Sequence, residues 1–166
     1  KKSALLELLK VSGIPNLADE LKVATTAPFG LRDRVDLTLT TDDQGVTRLG
    51  LYHLTKNEIV DMPACPQMSP ALEKWFLECR KSLPPLKIGS VRLRVAPDGT
   101  RGVWLDLANI DVKTLLDEKT WLESLLNQSI VEIGQRRKRL VKTAAGLKLG
   151  DPEIFGWFNT YVTSRL

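Results

Sequence analysis

The sequence predicts an α+β fold, one antiparallel β-sheet with packed helices, forming a single domain over residues 1–166. Three observations carry this. Apolar residues alternate with polar ones in several short stretches and recur at helical spacing in others. The two kinds of stretch come in blocks without the regular strand–helix–strand spacing of a doubly wound sheet. The 166 residues, 43% of them hydrophobic and 27% charged, suit one self-sufficient core.

Residues 3–12 carry Ala4, Leu5, Leu8 and Leu9 as an apolar stripe, with Gly13 placed for a C-terminal cap. From Arg34 the period becomes two, with Val35, Leu37 and Leu39 alternating with Asp36, Thr38 and Thr40. Asp42-Asp43-Gln44-Gly45 supplies turn chemistry, and strands over 48–53 and 58–61 extend the same sheet before Pro63 and Pro66 interrupt it. Ser69-Pro70 opens a helix as N-cap and first helical residue. Leu72, Trp75, Phe76, Cys79 and Leu83 share its apolar face, and Pro84-Pro85 ends it. Val91, Leu93 and Val95, the Pro97-Asp98-Gly99 turn, and Val103, Leu105 and Leu107 make a second hairpin, with Arg92 and Arg94 on its polar face. Asp111 caps one helical stretch to about residue 127. A strand over 130–133, a basic ribbon and a last apolar run over 154–158 complete the chain.

No run approaches the roughly 18 apolar residues of a membrane span, and Glu7 and Lys10 interrupt any signal-peptide core. Two cysteines make no disulfide framework and suit a reducing compartment, so a cytoplasmic protein without membrane contact, and a monomer, is expected. The chain starts without methionine and is expected to be a piece of a longer protein. Its net charge of +4 is concentrated. Arg136, Arg137, Lys138, Arg139, Lys142 and Lys148 stand against the single acid Glu132, a local +5 that fits either a polyanion footprint or a solvated hairpin.

Catalytic machinery is nearly absent, and no catalytic residue is assigned. His53 is the only histidine, which excludes a serine triad and a histidine metal cluster; a structural role suits it best. No glycine-rich phosphate loop occurs. Asp42-Asp43 and Asp117-Glu118 read as solvated surface, and Cys79 as a small core residue. Cys65 differs, lying in Met62-Pro63-Ala64-Cys65-Pro66, where proline follows cysteine as it does around iron–sulfur ligands.

Leu31-Arg32-Asp33-Arg34-Val35, Leu49-Gly50-Leu51-Tyr52 and Glu58-Ile59-Val60-Asp61-Met62-Pro63-Ala64-Cys65-Pro66 together resemble the central region of the RNA uracil-C5 methyltransferases. These enzymes make 5-methyluridine in transfer and ribosomal RNA from S-adenosylmethionine. Val91-Arg92-Leu93-Arg94 and Phe155-Gly156-Trp157-Phe158-Asn159-Thr160 follow in the family's order. The resemblance runs through the whole chain and is most specific from Ile59 to Pro66. It implies that Cys65 is the fourth ligand of an iron–sulfur cluster whose other three cysteines lie upstream. It also implies that Arg32, Arg34, and Arg92 or Arg94 face RNA, and that Asn159 lies at the cofactor. The catalytic cysteine, general base and cofactor loop are expected downstream, so the isolated chain is expected to be inactive. Trp157 stands where the family has a cofactor-contacting glutamine, and Asn57 where many members have histidine. With the ribbon residues Arg136, Arg137, Lys138, Arg139 and Lys142, the expected partner is RNA, either transfer or ribosomal. The alternative is a non-catalytic RNA-binding module.

Overall fold

The computed structural model describes residues 2–13, 29–83, 88–106, 112–134 and 138–151. Among the described residues four helices and eight strands follow in the order α1 (Lys2–Val11), β1 (Arg34–Thr41), β2 (Thr47–His53), β3 (Glu58–Asp61), α2 (Pro70–Arg80), β4 (Ile88–Val95), β5 (Arg101–Asp106), α3 (Val112–Asp117), α4 (Lys119–Leu126), β6 (Ile130–Ile133), β7 (Lys138–Thr143) and β8 (Gly146–Gly150). All strands join one sheet, ordered β3-β2-β1-β4-β5-β6-β7-β8.

Period-two patterning decides which face is buried. Val35, Leu37 and Leu39 on β1 align through the ladder with Leu93, Val91 and Gly89 on β4, and Val103 and Leu105 on β5 continue the rows to Val131 and Ile133 on β6. These side chains are buried, and α2 and α4 cover them with Leu72, Trp75, Phe76, Leu122 and Leu125. Helix α2 starts as its sequence dictates: the Ser69 hydroxyl accepts the Leu72 amide, and Pro70 occupies the first turn. The Trp75 indole N–H reaches the Gly102 carbonyl at 3.4 Å, and Arg101 pairs with Glu78 at 2.6 Å. Helix and sheet are thus joined by polar contacts as well as by packing.

The structure corrects the expected topology in two places. The sheet is mixed, because β6 runs parallel to β5. A parallel neighbour needs a crossover, and α3 and α4 belong to it, a strand–helix–strand unit the block pattern did not suggest. The expected single helix from Asp111 is two, broken at Glu118, whose backbone (φ −73°, ψ 44°) leaves the helical region. Of the basic ribbon, residues 138–143 and 146–150 form their own antiparallel hairpin. The apolar run over 154–158, Leu107, Asp111 and Pro84-Pro85 lie outside the described residues. Gly13 does close α1, at φ +74° with its amide donating to the Lys10 carbonyl. No described helix is long and apolar enough to cross a membrane.

Candidate nucleic-acid interface

Two places on this frame concentrate polar chemistry. The first is the end of β3. Asp61 Oδ1 accepts the Leu49 amide at 3.0 Å, and the Arg80 guanidinium closes on both carboxylate oxygens at 2.9 and 2.7 Å. The same guanidinium donates to the carbonyls of Leu49 and Met62 and packs over the Phe76 ring. The Arg80 hydrogen bonds hold the Asp61 carboxyl below its usual range against the opposing effect of burial; the Leu49 amide and the charges of Arg80 and Arg48 add to the lowering. One side chain of the Ile59-Val60-Asp61 motif therefore fastens β2, the last turn of α2 and the start of the Met62–Pro66 loop.

Cys65 sits in that loop, half-buried against the core. Its carbonyl accepts the Met68 amide, and the loop is braced by Gly30 N–H to Pro66 O, Arg32 N–H to Gln67 O and Ser69 N–H to Arg32 O, at 2.8 to 2.9 Å. Both cysteines are free thiols. Burial pushes the Cys79 thiol far up, as a core cysteine requires. Among the described residues no three His, Cys, Asp or Glu side chains gather as a metal site.

The second place is the sheet face opposite α2 and α4. Register lines up Asp36 on β1, Arg92 on β4, Trp104 on β5, Glu132 on β6 and Arg139 on β7 in a single row across five strands. The Arg92 guanidinium stacks on the Trp104 ring, 4.0 Å from its centroid. Gly134 lies under the indole so closely that a β-carbon there would stand 2.3 Å from Cζ2. Arg34 engages Asp36 with two hydrogen bonds, 3.1 and 2.7 Å, while Arg92 Nε stays 3.7 Å from the same carboxylate. One acid thus serves two guanidinium groups. On the same face, Thr38, Thr40, Arg48 and Tyr52 line a groove of about 830 Å³ that runs to β3.

The expected RNA-facing residues separate on this frame. Arg32 and Arg34 are exposed, and the Arg92 side chain is 39% exposed. Arg94 departs from expectation: it shares Arg92's face but is only 7% exposed, buried as Glu132 is at 6%. Alternation fixes a face, not its solvent access. Lys138 and Lys142 lie on the α4 side of β7 around buried Leu140, pairing with Asp151 and with Glu123 (3.3 Å); Arg139 points to the other side, opposite Glu132 in register. The described ribbon residues thus divide between two faces, Lys138 and Lys142 on one and Arg139 on the other. Arg136, Arg137, Asn159 and Trp157 lie outside the described residues.

Two smaller readings resolve into turn chemistry. His53 Nδ1 accepts the Lys56 amide at 3.2 Å, a structural cap for the β2–β3 turn. Asn57 holds φ +54° there and accepts the Tyr52 hydroxyl, a conformation that asparagine tolerates better than most residues. Sequence reasoning passed over Trp104 and Gly134. The signal was present, since Trp104 falls between Val103 and Leu105 in a period-two run and so must face away from the core.

No protein-family model matches the chain. It is 52% identical over 142 residues to a protein of Bdellovibrio bacteriovorus described as an uncharacterized RNA methyltransferase. The match covers 86% of this chain and 35% of that protein, so the chain spans about a third of that relative's length.

Proposed function

We propose that this chain is the RNA-docking part of a longer, S-adenosylmethionine-dependent RNA methyltransferase of the uracil-C5 type. The observation that carries the reading is the likeness over most of the chain to a protein described as an RNA methyltransferase. The motifs running from Arg32 to Pro66 support the uracil-C5 subtype. In this reading Arg32, Arg34 and Arg92 bind the RNA, because a guanidinium pairs with phosphate through a planar fork and stacks on bases. Arg136, Arg137, Lys138, Arg139 and Lys142 add long-range attraction for the polyanion. The bond-making groups belong to the rest of the longer protein.

An iron–sulfur cluster takes four thiolates. Of the two described cysteines Cys79 is buried in the core, which leaves Cys65 alone, and one thiol makes no cluster site by itself. Cys65 is proposed as a single ligand whose three partners come from outside this chain. Asn159 is proposed at the cofactor through its place in the terminal motif.

The test incubates the longer protein with methyl-labelled S-adenosylmethionine and separate pools of transfer and ribosomal RNA, then digests the RNA to nucleosides. Label in 5-methyluridine is expected. Label in another nucleoside overturns the uracil-C5 subtype, and RNA binding without label leaves a non-catalytic RNA-binding module.

A further inference from the structure

The face carrying Asp36, Arg92, Trp104, Glu132 and Arg139 is built differently from an ordinary solvated sheet surface. A tryptophan there has a guanidinium over its ring at 4.0 Å and a glycine against its six-membered ring where any β-carbon would collide. The arginine's own ion pair is the longer of the two at that acid. Its neighbour Arg34 makes the two hydrogen bonds to Asp36, and Arg92 stays at 3.7 Å from that carboxylate. The pair therefore presents a planar cation, exposed on its outer side, over an aromatic ring.

We infer that the Arg92–Trp104 pair is a stacking platform for an unpaired base of RNA. This rests on the RNA-docking reading above and names the part of the RNA that is bound. A guanidinium plane already stacked on a ring receives a base on its free side, as planar side chains of single-strand-binding proteins do, without regard to which base it is. The charge fits the ligand. Arg34 and Arg92 share one acid, Asp36, which leaves that part of the face with a surplus of positive charge, while Arg48 farther along is paired with Asp42 at 3.0 Å. The room fits as well. Thr38 and Ser90, directly opposite each other on β1 and β4, carry hydroxyls beside the platform. Beyond them lies the groove of about 830 Å³, lined by Thr40, Arg48 and Tyr52 and, at its β3 end, by Glu58 and Asp61; its β1–β2 end has room for a neighbouring nucleotide. A base inside a duplex has no free face to offer, so the platform selects single strands, loops and bulges.

The test measures affinity of the chain for three labelled oligomers of equal length: a single-stranded RNA, the same strand in a duplex, and an abasic strand that keeps the sugar–phosphate backbone. The parent protein is expected to prefer the base-bearing single strand. Arg92→Lys keeps the charge and loses the plane, whereas Trp104→Leu keeps the apolar bulk and loses the ring. Each is expected to weaken binding of that strand about tenfold, the order seen for one lost stacking contact. Each is expected to leave abasic binding and the salt slope of Arg92→Lys within about twofold of the parent. The platform is overturned, with the docking reading intact, if the parent binds RNA and either treats abasic and base-bearing strands alike or is unaffected by Arg92→Lys. If the parent binds none of the three, the docking reading itself fails.

Discussion

Replacing Asp61 by asparagine isolates the joint that carries the Cys65 loop. The substitution keeps an oxygen for the Leu49 amide but turns an N–H donor toward the Arg80 guanidinium, losing the charge and one of two short contacts. Hydrogen bonds to charged groups contribute about 1.5–3 kcal/mol each when shielded from water. Here the side chains of Arg80 and Asp61 are 23% and 36% exposed, so solvent screens the pair and about 2 kcal/mol is expected for the whole joint. In a chain of this size that lowers the melting temperature by roughly 4–8 °C. The pH dependence has a definite sign. Because the folded state holds the Asp61 carboxyl below its unfolded value, its contribution is full above the unfolded pKa of about 3.9 and fades as pH falls through the folded value. Urea denaturation of parent and D61N at pH 7 and near pH 3 checks both points: the gap between them should be wide at neutrality and narrow in acid. A gap of equal size at both pH values, or none at pH 7, refutes the assignment of this carboxylate as a charged tie.

Gly134→Ala should force the Trp104 indole off its seat, at a cost of about 1–3 kcal/mol, and change the near-ultraviolet circular dichroism; an unchanged spectrum would mean the ring has another support. Phe76→Ala, on the buried face of α2, should cost about 3–5 kcal/mol in chemical denaturation. In native protein a thiol reagent should titrate Cys65 readily and reach Cys79 only after denaturant is added, since the latter is buried with its thiol pushed up. In the longer protein, Cys65→Ser should abolish bound iron while leaving the fold of this part in place; full iron content would remove Cys65 from any cluster.

Much of the fold was legible because local signals agreed with global packing. The Ser69-Pro70 start of α2 and the alternation in β1, β4 and β5 were decided within a few residues, by capping and by period. The parallel β5–β6 pair was not legible, since it depends on where the chain returns after two short helices rather than on any local pattern. Of the candidate interface, Arg34 and Arg92 could be placed on one face from their spacing. That Arg94, two residues on, is buried depends on what lies over the face, which alternation does not encode. The Arg92–Trp104 stack needed three-dimensional register, joining residues from β4, β5 and the end of β6. Asp61 stood in a motif whose resemblance pointed to Cys65, yet the aspartate's own task emerged only from its contacts with Leu49 and Arg80.

The position of β4 beside β1 sets a timetable for synthesis. The meander β1–β2–β3 can pair as soon as it leaves the ribosome, but the second neighbour of β1 lies roughly 50 residues later in the chain, several seconds at about 5–20 residues per second. Until α2 is made Val35, Leu37 and Leu39 lack the helix that covers them, and throughout that interval they lack β4, so one edge of β1 offers open amides and carbonyls to any other nascent chain. Stalling translation between residues 61 and 88 should therefore yield a species that binds chaperones and aggregates, whereas release after Val95 closes the sheet's centre and ends the hazard.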